Sequence, residues 1–477
     1  MNGDSIRREL LGRRTDWLRR PQLAVDPRTT AGPILVAASA ILSWVPFASM
    51  TRPGDDPLGL FVGALAIVLM AWSFVLAVRL HVIETLFGGL DRVYAWHRWI
   101  GVLSIAAMWT HIRQGNQVQG TLGATAAVAE VGTSLAGFAE VTLYILIVFS
   151  AVRWVPYRWW RLTHKLIGVP YIFACFHFIT AEKPYSNFSP WGLWFGLIMV
   201  AGAVAWVARV VVRDTLRPGA PYIVTAVSRG ETVVDVTLAP SGPRQIRRRI
   251  GQFAFIKVQS AGMSEPHPFS IASSPDSTEL RFVIRARGDW TDIARDRFPV
   301  GQTVIVEGAY GRLQLHPRDA RPTIWFAGGL GITPFLSAIS AGTNRRNSAA
   351  PHLFYSTSTR SDAMALNELE AADRAGRIHL HLTISSEDGR LARQSVMTVL
   401  GPEGMRGAHV VVCGPHDYAV AARGWSRSLG AHTIAHESFE IRSGVAPDVS
   451  RRVNALTRRS RWVRALQDSD WWVRRGQ

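Results

Sequence analysis

Two textures of hydrophobic pattern divide this chain. From about residue 32 to residue 212 the apolar residues come in long unbroken runs. After Pro218 they come in short stretches cut by glycine, proline and polar positions. Six runs, about 32–50, 58–80, 94–112, 137–155, 165–181 and 189–212, lie near the ~20-residue length that lets a helix cross a hydrocarbon core. They predict a membrane all-α six-helix bundle over 32–212. In "PYIVTAVSRGETVVDVTLAP" and "GQFAFIKVQS" β-branched and polar positions alternate, which predicts an antiparallel β-barrel over 219–318. From Arg321 the order becomes strand, turn, helix, repeated. That order predicts an α/β parallel-sheet domain over 319–441, with a ligand at the strands' carboxyl ends.

Charge orients the bundle. The net charge is +18, but the 53 basic residues include only three lysines, Lys165, Lys183 and Lys257. That is an arginine bias in coding, and many arginines flank the apolar runs, so no nucleic-acid partner is expected. The lead-in 1–31, the 81–93 and 153–165 connections and the exit near Arg209–Arg217 are basic, whereas the alternate loops carry little beyond Arg52, Arg113 and Lys183. Positive loops stay inside, so both termini are expected in the cytoplasm and the protein in the plasma membrane as a multi-pass protein. The arginines of the lead-in are followed by no short apolar core with a small-residue cleavage site, which excludes a secretory signal. Cys175 and Cys413 fall in different domains and build no disulfide or zinc framework.

Four histidines give the bundle its chemistry. His97 and His111 are 14 residues apart in the third run, and His164 and His177 are 13 apart in the fifth. At ~1.5 Å of rise per residue each pair spans roughly 20 Å, most of a hydrocarbon core. Ionisable or ligating groups at such depth point to function. The two runs point the same way, so His97 meets His164 at the inner level and His111 meets His177 at the outer level. This is the ligand set of two six-coordinate haems b stacked across the membrane. Fourteen residues return a helix to nearly the same face but thirteen do not, so the fifth run needs an irregularity near Pro170. His81 finds no partner at its level, and Trp96, Trp99, Trp154, Trp159 and Trp160 read as interface anchors.

The second half carries phosphate-binding patterns. In "AGGLGITP" Gly328, Gly329 and Gly331 let backbone approach a pyrophosphate, with Thr333 at a helix start. In "RGDWT" Gly288, Asp289 and Thr291 form another turn into a helix. Ser270 places a small hydroxyl in a strand, as a hydrogen bond to a flavin needs. No calcium-binding loop of the D-x-D-x-D-G type occurs in the chain.

Taken together, the histidine spacings, "HPFS", "IRARGDWT", "GGLGITP", "CGP" and "HESF" resemble the NADPH oxidase and ferric reductase family of transmembrane flavocytochromes b, over about residues 55–441. The resemblance implies FAD bound by the barrel and NADPH bound by the parallel sheet. It places His267, Pro268, Phe269 and Ser270 at the flavin, and Arg285 and Thr291 at its pyrophosphate. It places Cys413, Gly414 and Pro415 at the nicotinamide, Arg360 at the adenosine 2′-phosphate, and Phe439 over the flavin. Ser270, Cys413 and Phe439 are then the residues beside hydride transfer. The tail 442–477 exceeds the family pattern and is basic and Trp-rich. Two readings fit it, an amphipathic helix on the anionic leaflet and a disordered segment.

The implied activity is transmembrane electron transfer. Electrons pass from cytoplasmic NADPH through FAD and two haems to a small-molecule acceptor outside, either dioxygen, giving superoxide, or a ferric chelate. Arg113 is the candidate cation beside the outer acceptor. The rival class is a membrane-anchored flavoprotein reductase serving a soluble redox partner.

Overall fold

The computed structural model describes residues 30–114, 120–151, 157–216, 219–259, 263, 265–286, 289–317, 321–342, 349–401 and 403–437. Gly288, Phe439, Trp154, the tail 442–477 and all but the end of the lead-in lie outside them. By contact the chain forms two compact units. One holds Ser39–Val75 and Tyr94–Ala203, and the other holds Leu76–Val93 and Val204–Ser438.

The first unit is helical. In chain order the helices of this half are α1 (Ala31–Met50), α2 (Pro57–Ala77), the short α3 (His81–Phe87, in the second unit), α4 (Leu90–Gln114), α5 (Ala126–Ala151), α6 (Tyr157–Lys165), α7 (Gly168–Thr180) and α8 (Pro190–Val207). Five spans among the described residues are long and apolar enough to cross a membrane: α1, α2, α5, α8 with its continuation, and Trp159–Thr180. Helix α4 is long enough but carries Asp91, Arg92, Arg98 and Arg113 among its 25 residues. Outward stripes such as Phe138, Val141, Ile145 and Val148 on α5, and Leu193, Leu197, Val200 and Val204 on α8, leave large apolar side chains exposed. Lipid satisfies such stripes, whereas water makes them costly.

Close packing inside this unit depends on small residues. A Cβ on Gly202 would stand 2.3 Å from the Tyr171 hydroxyl, which donates to the Met199 carbonyl at 3.1 Å. The fifth apolar run is broken between α6 and α7. Leu166 and Ile167 bond back three residues, to Thr163 and His164, and Pro170 sits in the first turn of α7. A proline there lacks the N–H that a continuous helix needs, so the axis restarts.

The second unit contains both predicted sheets. Strands β1 (Thr121–Leu122) and β2 (Glu182–Lys183) pair in the helical unit, and the barrel follows with β3 (Ala220–Arg229), β4 (Val233–Pro240), β5 (Phe253–Val258), β6 (His267–Ser270), β7 (Leu280–Arg285) and β8 (Thr303–Tyr310). The order is β6-β5-β8-β3-β4-β7, antiparallel throughout, and a bridge from Ile271 to Phe282 nearly closes it. Tyr222, Val234, Val236, Leu238, Phe282 and Ile284 fill the interior.

Five parallel strands follow: β9 (Thr323–Gly328), β10 (His352–Thr357), β11 (His379–Ile384), β12 (His409–Cys413) and β13 (Thr433–His436). Their order, β11-β10-β9-β12-β13, reverses between β9 and β12. In open α/β sheets that reversal leaves a crevice at the strands' carboxyl ends. Every residue of β9 and β12 is buried, as central strands covered on both faces require.

The Leu76–Val93 segment packs on the barrel. Arg79 adopts a left-handed backbone, φ 60°, that few non-glycine residues take. Its guanidinium lies 3.7 Å over the Phe255 ring and 3.4 Å from Glu307. Arg213 donates to the Val78 carbonyl at 2.6 Å and reaches the same Glu307 at 3.3 Å. His81 joins this packing, its ring 5.3 Å from that of Tyr310.

Candidate functional site

The histidines are held from behind by a repeated device. His97 Nδ1 lies 2.9 Å from the Ser73 carbonyl, and His111 Nδ1 lies 2.9 Å from the Gly59 carbonyl. Gly59 and Ser73 are 14 residues apart on α2, the same interval as the two histidines on α4. A carbonyl only accepts, so each imidazole donates its Nδ1–H and presents Nε2 as the lone-pair nitrogen. His164 Nδ1 lies 3.1 Å from Ser150 Oγ, whose single proton goes to the Leu146 carbonyl at 2.8 Å. That oxygen therefore accepts from His164 as well. His177 Nδ1 is buried and meets no partner among the described residues.

Across the bundle the inner rings come together. His97 and His164 have ring centroids 6.0 Å apart and nearly perpendicular planes. Two metal–nitrogen bonds of about 2 Å each fill most of that distance. Trp160 stacks on His164 at 5.2 Å. Imidazoles that ligate a metal commonly donate the second N–H to a carbonyl or other oxygen, so three of the four fit haem iron. Gly63 makes room for the outer ring, since a Cβ there would fall 2.6 Å from His111 Nδ1.

At the barrel edge β6 pairs with β5, opposing Ser270 to Phe253 and His267 to Ile256. The His267 ring packs 4.8 Å from Trp290, and Phe269 packs on the same indole at 5.4 Å. Arg285, at the end of β7, donates to Asp362 Oδ1 at 2.5 Å. It also lies 3.9 Å from the Cβ position of Gly329, whose φ of 52° needs a residue without a side chain. The barrel arginine and the first glycine turn of the sheet are thus neighbours. Thr291 stands on α9 (Asp289–Arg297), half-buried.

The two sheet motifs meet at the reversal point. A Cβ on Gly331 would stand 2.1 Å from the Cys413 carbonyl, and one on Gly414 would stand 3.0 Å from the Gly328 nitrogen. Pro415 and Tyr418 close on Gly328 from the other side. Helical backbone begins at Gly329, in a tight turn that runs into α10 (Thr333–Ser340). Thr333 is therefore on the second turn, buried, with its hydroxyl donating to the Leu330 carbonyl at 2.9 Å. The N–H groups at the helix start belong to the glycine turn itself, a backbone cradle suited to phosphate. Arg360 follows β10 and is exposed, with Glu370 at 3.8 Å.

One residue at this site carries no motif signal beyond its place in "HESF". Glu437 is buried, and Oε2 has no partner among the described residues. Oε1 lies 2.9 Å from the Cβ position of Gly311, whose N–H donates to Glu84 Oε1 at 2.7 Å. Burial, then the charges of Asp91 and Glu84, hold the Glu437 carboxyl well above the usual carboxylate range. Burial pushes the Cys413 thiol up, and the neighbouring Glu437 carboxyl adds to the shift.

Residues 62–175 match the family model "Ferric reductase like transmembrane component", and residues 223–317 match the model "FAD-binding domain". The chain belongs to the NADPH oxidase and ferric reductase family. Within reach of this family, it is 25% identical to dual oxidase 2 of Rattus norvegicus over 292 residues, 52% of this chain and 18% of that protein. It is 21% identical to ferric/cupric reductase transmembrane component 7 of Saccharomyces cerevisiae over 336 residues, 65% of this chain and 52% of that protein. A 2-halobenzoate 1,2-dioxygenase electron transfer component of Burkholderia cepacia is 27% identical over 210 residues, 42% of this chain and 61% of that protein. The chain thus spans between 18% and 61% of the length of these relatives. Among solved structures, the FAD/NAD binding domain of nitric oxide dioxygenase from Vibrio cholerae has a TM-score of 0.41 at 18% identity, covering 46% of this chain and 98% of that one.

Proposed function

We propose that this family member moves electrons across a membrane, from cytoplasmic NADPH through FAD and two haems b to an acceptor outside. The observation that carries the reading is the matched interval on α2 and α4. Two carbonyls 14 residues apart orient two imidazoles 14 residues apart, each with Nε2 left to bind. When bound, FAD takes two electrons as hydride and releases them singly, and each bis-imidazole haem carries one.

The chain's own residues place these groups. His97 with His164, and His111 with His177, would supply the imidazole nitrogens that hold the two haems. Two imidazoles at each level would suit a haem that passes electrons rather than one that binds the acceptor on its metal. His267, Pro268, Phe269 and Ser270 hold the flavin from β6, while Arg285 and Thr291 face its pyrophosphate, to which the resemblance also assigns Gly288. Gly328, Gly329, Gly331 and Thr333 shape the dinucleotide's phosphate cradle. Cys413, Gly414 and Pro415 bear on the nicotinamide, and the resemblance assigns the aromatic over the flavin to Phe439. Arg360 favours NADPH over NADH through the 2′-phosphate. The orientation, with both termini cytoplasmic in the plasma membrane, follows the basic loops.

The relatives' names divide the acceptor between oxidase and ferric or cupric reductase. Sparse charge in the outer loops favours dioxygen over a ferric chelate. The test is NADPH oxidation by the purified full chain with oxygen and ferric citrate offered separately, beside the reduced absorbance spectrum. A b-type band that is lost in His111→Ala supports the reading. A flavin-only spectrum makes the protein an anchored reductase for a soluble partner, the role that the electron transfer component's name suggests.

A further inference from the structure

Hydrogen bonding behind the four imidazoles is unequal, and the inequality has a direction. At the inner level both rings donate Nδ1–H to oxygen. His97 donates to the Ser73 carbonyl at 2.9 Å, with Ser73 Oγ also at 2.9 Å, and His164 donates to Ser150 Oγ at 3.1 Å. At the outer level only His111 does so, to the Gly59 carbonyl at 2.9 Å. His177 Nδ1 is buried and has no such acceptor among the described residues. Lys183 Nζ is buried and donates to the carbonyls of Phe178, Ile179 and Ala181 at 3.0–3.1 Å, which lie one, two and four residues after His177 and so bring a cation to the outer level.

Outer-shell partners of this kind orient a ligand and raise its basicity. An imidazole that donates to oxygen gains imidazolate character. It gives more charge to the iron, stabilises the ferric state and lowers the potential. An imidazole without that acceptor does so less, and a nearby ammonium favours the ferrous state, which carries one positive charge less.

We propose that this asymmetry grades the two haems, with Ser150 as the side chain that holds the inner one at the lower potential. The inference rests on the haem reading above and goes beyond it by assigning the direction of transfer to particular hydrogen bonds. With haems held at both levels, one electron would pass outward, oxidising the inner haem and reducing the outer one, and no bond or proton would change. Ser150 is a positioning residue, since it touches the ligand and not the iron. It stands apart from Ser73 because its acceptor is a side chain that substitution can remove, whereas the carbonyls of Ser73 and Gly59 stay whatever residue is present.

The test is a spectroelectrochemical titration of the purified full chain with both haems bound. His111→Ala removes the outer site and leaves the inner haem to titrate alone. Its midpoint is expected to match the lower of the two wild-type values. Ser150→Ala is expected to raise that lower midpoint by a tenfold change in the ratio of reduced to oxidised haem, about 59 mV for one electron. The upper midpoint stays in place, and Ser150→Thr restores the wild-type value. Two haems whose midpoints do not move in Ser150→Ala overturn the grading and leave the haem reading intact. So does an inner haem that titrates as the higher of the two, a measurement that does not depend on how Ser150→Ala folds. Absence of any b-type band overturns the haem reading and the grading with it.

Discussion

Gly331 packs directly against the carbonyl of Cys413. The Cβ of an alanine at 331 would stand 2.1 Å from that oxygen and 2.4 Å from the carbonyl carbon, so backbone must move. The two motifs "GGLG" and "CGP" are thereby parts of one surface at the point where the sheet reverses.

Gly331→Ala should cost about 1–3 kcal/mol, as overpacking of a dense interior does. NADPH-dependent turnover should fall at least tenfold while the visible spectrum of the helical half stays unchanged. Gly424→Ala is the contrast. Gly424 lies inside α11 (His416–Ser428) with nothing within 4 Å of its Cβ position. That substitution should stabilise the chain by up to about 1 kcal/mol through helix propensity. Thermal melts and steady-state rates of both variants check the pair.

Gly63→Ala should disturb one level of the bundle only. The new methyl would meet three atoms of the His111 ring at 2.6–2.9 Å and push the ring from the Gly59 carbonyl. Pyridine haemochrome analysis should give one haem per chain instead of two, with the His97 and His164 level retained. Two haems of unchanged spectrum would count against the outer ligand assignment.

Acid should weaken the parallel sheet at its histidine edge. His352 Nδ1 and His381 Nε2 are 3.0 Å apart, and the His379 ring lies 4.8 Å from that of His352. Burial, then the fields of His379 and His381, holds His352 down to about 4, while a free imidazole titrates near 6.5. Between those values the unfolded chain binds a proton that the folded chain does not, so stability is lost as pH falls from about 6.5 toward 4. His436, whose Nε2 accepts from Arg423 at 3.2 Å, is likewise held down to about 4 and steepens the loss. The melting temperature should drop across this window, and His352→Gln should flatten part of the drop.

Glu437→Gln should change the opposite limb. The Glu437 carboxyl is held well above its ordinary value, so the folded state keeps a proton that the unfolded state releases above about pH 4.5. Stability from this group therefore declines as pH rises, and glutamine removes the decline. Melts of the wild type from pH 5 to 8 should fall more steeply than those of Glu437→Gln. Parallel curves would mean that the carboxylate is already ionised in the fold.

Much of this architecture is legible in the sequence because lipid and glycine leave coarse marks. The apolar runs locate the spanning helices, and four histidines at two depths stand out because such residues are rare in hydrocarbon. The break near Pro170 is legible from the mismatch of thirteen residues with helical period. What holds the histidines is another matter. Ser73 and Gly59 act through backbone carbonyls, which every residue has, so no letter marks them. Ser150 sits 14 residues before His164 on a different helix, and only folding brings them together. Glu437 reads as an ordinary surface carboxylate until the last strand returns it to Gly311. The strand order of the parallel sheet, on which the crevice depends, comes from long-range pairing that local periodicity does not encode.

The equal intervals on α2 and α4 also constrain how this molecule can change. Because each carbonyl faces its own imidazole, adding or losing one residue between Gly59 and Ser73 would swing one acceptor about 100° around its helix while leaving the other in place. Loops at either end can lengthen without touching that match. The height of one α4 imidazole above the other, about 21 Å by helical rise, is therefore written as a residue count shared by two helices. A lineage can vary the chemistry at either level, but it can alter the spacing only by changing both helices together.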